Sequence, residues 1–224
     1  YKPRPFDLHH AFGLFCKDLD SLSANHSPLP ALASLSFGEY GFSEFIEHKS
    51  CELKELPQFY FTTGRLLAVL YLLGASDCHY KNAIASGVSL FLIDIETLFE
   101  PPIPDHLGVQ GQQNTNLMEM TADSVLRLGL LPHWDVIDKK YGKPIDISAL
   151  GISHEERFIE NICMQFNLVN TDFMALKNSP TYYQDHPSLP VEPGTPNPVD
   201  QYIDCLVDGF TDQYQEINRF KDAS

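Results

Sequence analysis

Between Asp77 and Glu96 the chain sets five side chains that can bind a cation or move a proton: Asp77, His79, Asn82, Asp94 and Glu96, within SDCHYKNAIASGVSLFLIDIETLFE at residues 76–100. Asn and Asp side chains that meet offer hard oxygen ligands of the kind Mg2+ takes. A carboxylate beside such a cation can orient or deprotonate a hydroxyl. A single Asp or Asn after a helix more often serves as a cap or a turn. The case for chemistry therefore rests on Asp77, His79, Asn82 and Asp94 taken in order. Glu96 follows closely and is equally suited to capping what comes next.

The flanking elements say how these residues would be positioned. Residues 57–73 carry the strongest helix pattern. Pro57 suits a first turn, and Phe59, Thr63, Leu66, Leu67 and Leu70 share one face. The last two turns are apolar all round, as in a central helix, and Gly74 supplies a stop. The apolar pieces 82–85 and 89–94, around Ser86 and Gly87, predict a β-hairpin. Hairpin ends are neighbours, so Asn82 and Asp94, 12 residues apart, are expected at the same end, with Asp77 in the loop five residues before Asn82.

A loop Asp, an Asn five residues on and a metal-binding Asp past a hairpin form the skeleton of kinase-like phosphoryl transfer. The protein-kinase motifs H-R-D and D-F-G are missing. LGASDCHYKNAIA…LFLIDIE instead resembles the lipid-kinase form, D-R-H-x-x-N followed by I-D-F-G. Asp77, His79, Asn82 and Asp94 match it, Cys78 stands for the Arg, and Ile95-Glu96 stand for Phe-Gly. Such a site also needs a cation on the nucleotide phosphates. Lys2, extended because Pro3 follows it, lies in the right order. No G-x-G-x-x-G occurs. A zinc or iron site of His79, Asp94 and Glu96 ranks lower, because no second His stands at a recurrent spacing.

The whole chain narrows the classes further. A formal net charge of −15, from 15 basic and 30 acidic residues, argues against nonspecific nucleic-acid binding. It also leaves any phosphate site dependent on a local cation. Cys16, Cys51, Cys78, Cys163 and Cys205 are odd in number and widely spaced, which fits reduced cytoplasmic thiols. The longest apolar run, Leu66–Leu73, has eight residues, far short of the roughly 20 a bilayer needs. No signal peptide is visible. The chain opens on Tyr1, not Met, and is expected to be part of a longer one. A short helix is expected over 6–20, a loop over 23–34, and a strand running into a connector over 37–48. Residues 124–132 form a short strand or helix, 134–148 a hairpin turning near Tyr141-Gly142, and 153–177 a helix. Residues 178–198 carry six prolines and are expected to be an irregular, mobile loop beside the site. From Asn197-Pro198 onward, Ile203, Leu206, Phe210, Tyr214 and Ile217 predict an amphipathic helix.

Several ordered blocks carry a family resemblance: YKPRPFDL, YGFSEFIEH, FYFTTGRLLAVLYLLGASDCHYKNAIASG, LIDIETLFEP, SVLRLGLLP and the late DGFTDQY, which looks like a G-F-x-x-x-Y block. Together they resemble the dehydratase domain of class II lanthipeptide (lantibiotic) synthetases, the LanM type, most weakly over 150–200. The resemblance implies an α+β, lipid-kinase-like (protein-kinase-like) fold, here mostly C-lobe with a truncated N-lobe, so that residues 1–224 are a partial domain. It implies a cytoplasmic phosphotransferase and lyase that uses ATP and Mg2+. Such an enzyme phosphorylates Ser and Thr in the core of a ribosomal precursor peptide with a leader and a Ser/Thr/Cys-rich core. It then eliminates phosphate to give dehydroamino acids. Carried over, Lys2 is the phosphate-binding lysine, and Asp77, His79 and Asn82 are the catalytic-loop residues. Asn82, Asp94 and Glu96 hold the metal, with Asn82 and Asp94 also serving the nucleotide. The zinc-containing cyclase domain expected in the full-length chain, and the family's elimination residues, lie outside residues 1–224.

Two other classes stay open. One is a kinase-like fragment that binds peptide or nucleotide without complete dehydratase activity. The other is a kinase of proteins or small molecules without elimination. Nucleotide-dependent phosphopeptide formation separates the first, and loss of water from the peptide separates the second.

Overall fold

The computed structural model describes residues 1–22, 27–99, 124–133, 146–151, 157–183, 187–192, 195 and 198–223. Among them lie helix α1 (Asp7–Leu22), strands β1 (Ser34–Ser36) and β2 (Gly41–Ser43), helix α2 (Leu56–Leu72), strands β3 (Ala83–Ser86), β4 (Ser89–Leu92), β5 (Arg157–Asn167) and β6 (Ala175–Tyr183), and helix α3 (Ile203–Ala223). Each successive strand pair forms a two-stranded antiparallel ladder.

Helix α2 is the axis of the core. Pro57 occupies its first turn, where a missing N–H costs nothing. Gly74 takes a left-handed φ of 59°. This lets the N–H of Ala75 bond the carbonyl of Leu70 at 3.0 Å, which ends the helix in a Schellman turn. Its buried residues run all the way round, from Phe59 and Tyr60 to Leu66, Leu67, Val69 and Leu70. Helix α3 lies against it, and two glycines set the closeness of the crossing. A Cβ on Gly64 would overlap the Leu206 carbonyl, and one on Gly209 would overlap the Phe61 carbonyl.

A guanidinium is buried between these helices. Arg65 is 1% exposed. Its Nε donates to Gln213 at 2.9 Å and its Nη1 to the Ser27 carbonyl at 2.6 Å, while Nη2 lies 3.7 Å from Asp20. The guanidinium so ties α1, α2 and α3 together. Burial raises the Asp20 carboxyl above its usual range against the opposing pull of the Leu29 N–H and Arg65.

The β3–β4 hairpin turns at Gly87 (φ 57°) and pairs Ala83 with Leu92 and Ser86 with Ser89. Ala83, Ala85, Leu90 and Leu92 face inward, and β4 packs on α2. The outer edge of β3 is closed from two sides. The Lys49 N–H bonds Ala85 at 3.1 Å, and the Ala85 N–H bonds the Pro187 carbonyl.

The structure departs from the sequence-based expectations in two places. The helix expected over 153–177 is not formed across its described part, from Arg157 onward. Residues 157–167 and 175–183 make a hairpin, with positive φ at Leu168 (52°) and Asn170 (64°) in the turn. Phe158, Ile159, Ile162 and Phe166 do fit helical spacing, but they are aromatic or β-branched residues that suit a pleat. Phe166 and Leu176 are left exposed, so no core holds them to a helical face. The loop expected over 178–198 is also corrected. Residues 178–183 belong to β6, whose place in a two-stranded ladder tolerates Pro180. Ser188, Leu189 and Val191 are buried, and the Cys51 N–H bonds Pro190 at 2.8 Å, so this stretch is a packed strap. Over 37–48 the expected strand and connector are present: β2 at Gly41–Ser43 pairs with β1 and runs into the irregular stretch 44–48. Residues 125–128 form a 3-10 turn. The expected turn near Tyr141-Gly142 lies outside the described residues.

Candidate functional site

Asp77 begins the site. It has a positive φ of 59°, a conformation Asp and Asn tolerate better than other side chains, and its side chain is 55% exposed. Its neighbours hold both of its oxygens. Oδ1 lies 3.3 Å from Nε2 of His79, and Oδ2 lies 3.3 Å from Nδ2 of Asn82. Nδ2 of Asn82 also donates to the Asp77 carbonyl at 2.9 Å. Nδ1 of His79 accepts the Lys81 N–H at 3.1 Å. That bond assigns the proton of a neutral ring to Nε2, which then donates to Asp77. His79 therefore acts first on Asp77.

The loop that carries these residues is strapped from behind. The Cys78 N–H bonds Leu128 at 2.8 Å, and the Tyr80 N–H bonds Ile147 at 3.2 Å. His79 and Ser148 form an antiparallel bridge. Ser148 is fixed by buried Asp146, which accepts from its N–H at 2.9 Å and its hydroxyl at 2.6 Å. Gly129 follows in a left-handed φ of 74°, which glycine adopts without strain.

The hairpin joins this loop to the second half of the site. The Ile93 N–H bonds the Asn82 carbonyl at 2.9 Å, which extends the β3–β4 ladder by one residue and brings Asn82 and Asp94 to the same end. Their side chains turn to different partners. Asn82 engages Asp77, whereas Asp94 and Glu96 engage Arg4. Nη2 of Arg4 lies 3.0 Å from both oxygens of Asp94, and Nη1 bonds Oε1 of Glu96.

Sequence reasoning missed two residues here. Arg4 is one; it stands two positions after Lys2, so an extended chain places both on one side. Lys2 itself is bridged to Gly41, with N···O distances of 2.9 and 3.0 Å. Gly41 is required there because a Cβ would overlap the Phe6 side chain. His9 is the other. It lies on the buried stripe of α1 with Phe12, Cys16 and Leu19, which was the available signal. Its ring stacks on Phe6 at 3.9 Å, and Nε2 accepts the Ile95 N–H at 3.3 Å. Burial lowers its pKa to about 4, against the raising effect of Asp94, with Arg4 and Lys2 lowering it further. His9 is thus a neutral acceptor that fixes the backbone between Asp94 and Glu96, within electrostatic reach of Lys2, Arg4 and Asp94.

The side chains that could serve a cation are oxygen donors: the Asn82 amide oxygen, whose Nδ2 faces Asp77, and the carboxylates of Asp94 and Glu96, which Arg4 occupies here. This set suits Mg2+, which takes one or two protein carboxylates and completes its shell with phosphates and water. The alternative of His79, Asp94 and Glu96 as a zinc or iron site is not formed, because His79 turns to Asp77. Among the described residues no three His, Cys, Asp or Glu side chains converge as a metal group. Cys16, Cys51, Cys78 and Cys205 are free thiols, and burial pushes the Cys78 thiol up to about 12. No helix among the described residues is long and apolar enough to cross a membrane.

A family model described as "Domain of unknown function (DUF4135)" matches residues 1–224. The chain belongs to this family. The DUF4135 family is associated with LanM-type lantibiotic synthetases, in agreement with the resemblance carried by the sequence blocks. The chain is also similar to the lacticin 481/lactococcin biosynthesis protein LcnDR2 of Lactococcus lactis subsp. lactis, with 28% identity over 171 residues, or 72% of this chain and 18% of the relative. The DUF4135 chain thus spans less than a fifth of that relative's length.

Proposed function

We propose that this DUF4135 domain has a lipid-kinase-like fold and acts in lanthipeptide biosynthesis, transferring the γ-phosphoryl group of ATP to Ser and Thr hydroxyls of a precursor peptide, with elimination of the phosphate following in the longer protein. One observation carries the reading. An exposed carboxylate, Asp77, is held on both oxygens by His79 and Asn82, and the Ile93–Asn82 hydrogen bond brings the Asp94 end of the hairpin to the same place. The family match and the similarity to a lantibiotic biosynthesis protein support the peptide as substrate.

In this reading Asp77 accepts the proton of the peptide hydroxyl as the hydroxyl oxygen bonds to phosphorus and the bond from phosphorus to ADP breaks. His79 orients Asp77 and offsets part of its charge through Nε2–H. Asn82 fixes the other Asp77 oxygen with its amide nitrogen, which leaves its amide oxygen to serve the cation. Asn82, Asp94 and Glu96 would hold Mg2+, which when bound offsets charge on the transferring phosphoryl group. Lys2, on the bridged N-terminal segment, serves the nucleotide phosphates. Elimination then removes the α-hydrogen and the phosphate, leaving a carbon–carbon double bond and a net loss of water.

The test is incubation of the protein with a Ser/Thr/Cys-rich precursor peptide and ATP, with Mg2+ or with a chelator. Peptide mass should rise by a phosphate, or fall by a water if the elimination groups are present, and only with Mg2+ and ATP. Unchanged peptide under all conditions contradicts the reading and leaves peptide or nucleotide binding without turnover.

A further inference from the structure

The phosphoryl-transfer reading gives Arg4 no task, yet its guanidinium holds both carboxylates that the reading assigns to the cation. Nη2 reaches both oxygens of Asp94, and Nη1 reaches Glu96. The backbones on either side are set independently of this contact. Pro3 and Pro5 restrict the chain on both sides of Arg4, and Lys2 is bridged to Gly41. On the acidic side, Ile95 is buried between Asp94 and Glu96, with its N–H bonded to His9. The Arg4 side chain is 31% exposed and can leave the carboxylates without disturbing either backbone.

A guanidinium and a divalent cation cannot share the open faces of the same two carboxylates, because like charges at that spacing repel and the guanidinium already engages both Asp94 oxygens. We infer that Arg4 is a resident counter-cation that competes with the divalent cation for Asp94 and Glu96. The site then takes up its cation with the nucleotide, whose phosphates add the oxygen ligands needed to displace the guanidinium. Free divalent cation is held off, and the order of assembly is built into the N-terminal segment. The inference rests on the phosphoryl-transfer reading of Asp94 and Glu96.

Mn2+ is the probe, counted by electron paramagnetic resonance of the free ion. Arg4→Met keeps the stem and loses the charge, and Arg4→Lys keeps the charge without the planar fork. Without nucleotide, Arg4→Met should bind Mn2+ about tenfold tighter than the wild-type protein or better, the effect of removing one charge-assisted competitor. Arg4→Lys should gain less, and adding Asp94→Asn to Arg4→Met should remove the gain. With ATP present, the wild-type protein should bind Mn2+ nearly as well as Arg4→Met. If the wild-type protein takes up Mn2+ with ATP but neither variant gains affinity for Mn2+ alone, the competition is overturned and the phosphoryl-transfer reading stands. If the wild-type protein takes up no Mn2+ even with ATP, the reading and the inference both fall. Should Arg4→Met not fold, by circular dichroism, Arg4→Lys decides the question alone.

Discussion

The guanidinium of Arg4 meets the carboxylate of Asp94 at 3.0 Å across 90 residues of sequence. This contact docks the N-terminal segment, bridged at Lys2 to Gly41, onto the end of the β3–β4 hairpin. His9 completes the junction by accepting the Ile95 N–H. Arg4 and His9 are thus the N-terminal residues that touch the segment Asp94–Glu96.

Asp94 has two tasks in this account, as cation ligand and as partner of Arg4. Asp94→Asn should lower peptide phosphorylation by at least about a thousandfold, since losing cation-based charge stabilisation costs several kcal/mol. Lys2→Ala should chiefly weaken ATP binding. Quantitative mass spectrometry of the peptide checks the first expectation, and calorimetric titration with ATP the second. Normal phosphorylation by Asp94→Asn would remove Asp94 from the site.

His9 gives the fold a pH dependence. Its pKa is near 6.5 unfolded and lowered to about 4 in the folded chain by burial, so the folded state resists protonation. The contribution, about 3 kcal/mol for a shift of this size, is fully present above pH 6.5. It is lost progressively as the pH falls from there to about 4. Urea unfolding at several pH values should show wild-type stability falling faster across this window than that of His9→Gln, which keeps an acceptor but does not titrate. Parallel slopes for the two proteins would show that His9 is not buried neutral.

The crossing of α2 and α3 depends on Gly64 and Gly209. Gly64→Val places two methyl groups and a Cβ against the Leu206 backbone, and should cost at least the roughly 1–3 kcal/mol typical of overpacking. Chemical denaturation measures this. A variant as stable as the wild-type protein would mean that the helices cross less closely.

Much of this was legible in the chain. Pro57, the apolar turns up to Leu70 and Gly74 announced α2 and its end, because propensity, burial and stop signal agree there. The Ser86-Gly87 punctuation announced the hairpin, and with it the meeting of Asn82 and Asp94 ends. What escaped was decided by distant partners. The pairing of Arg4 with Asp94 has no local signature, and a lysine two residues away drew the eye for its expected role. The close approach at Gly64 looks like a weak point in a helix until Leu206 lies against it. Residues 157–167 satisfy helical spacing and pleat chemistry at once, and their pairing with 175–183 settles the choice. The prolines of 187 and 190 suggested an irregular loop, but the backbone around them is bonded to Ala85 and Cys51.

In the proposed reaction Asp77 acts on the peptide hydroxyl, apart from the cation and apart from elimination. Asn tolerates the left-handed backbone of position 77, so Asp77→Asn removes the charge with little strain. The measurement is mass spectrometry of precursor peptide and of pre-phosphorylated peptide, each incubated with this variant in a chain that also carries the elimination groups the proposed reaction requires. ATP binding should stay near wild-type, transfer to the hydroxyl should slow by about a hundredfold or more, as for loss of a general base, and phosphopeptide should still lose its phosphate. Phosphorylation by Asp77→Asn at the wild-type rate would contradict this role of Asp77.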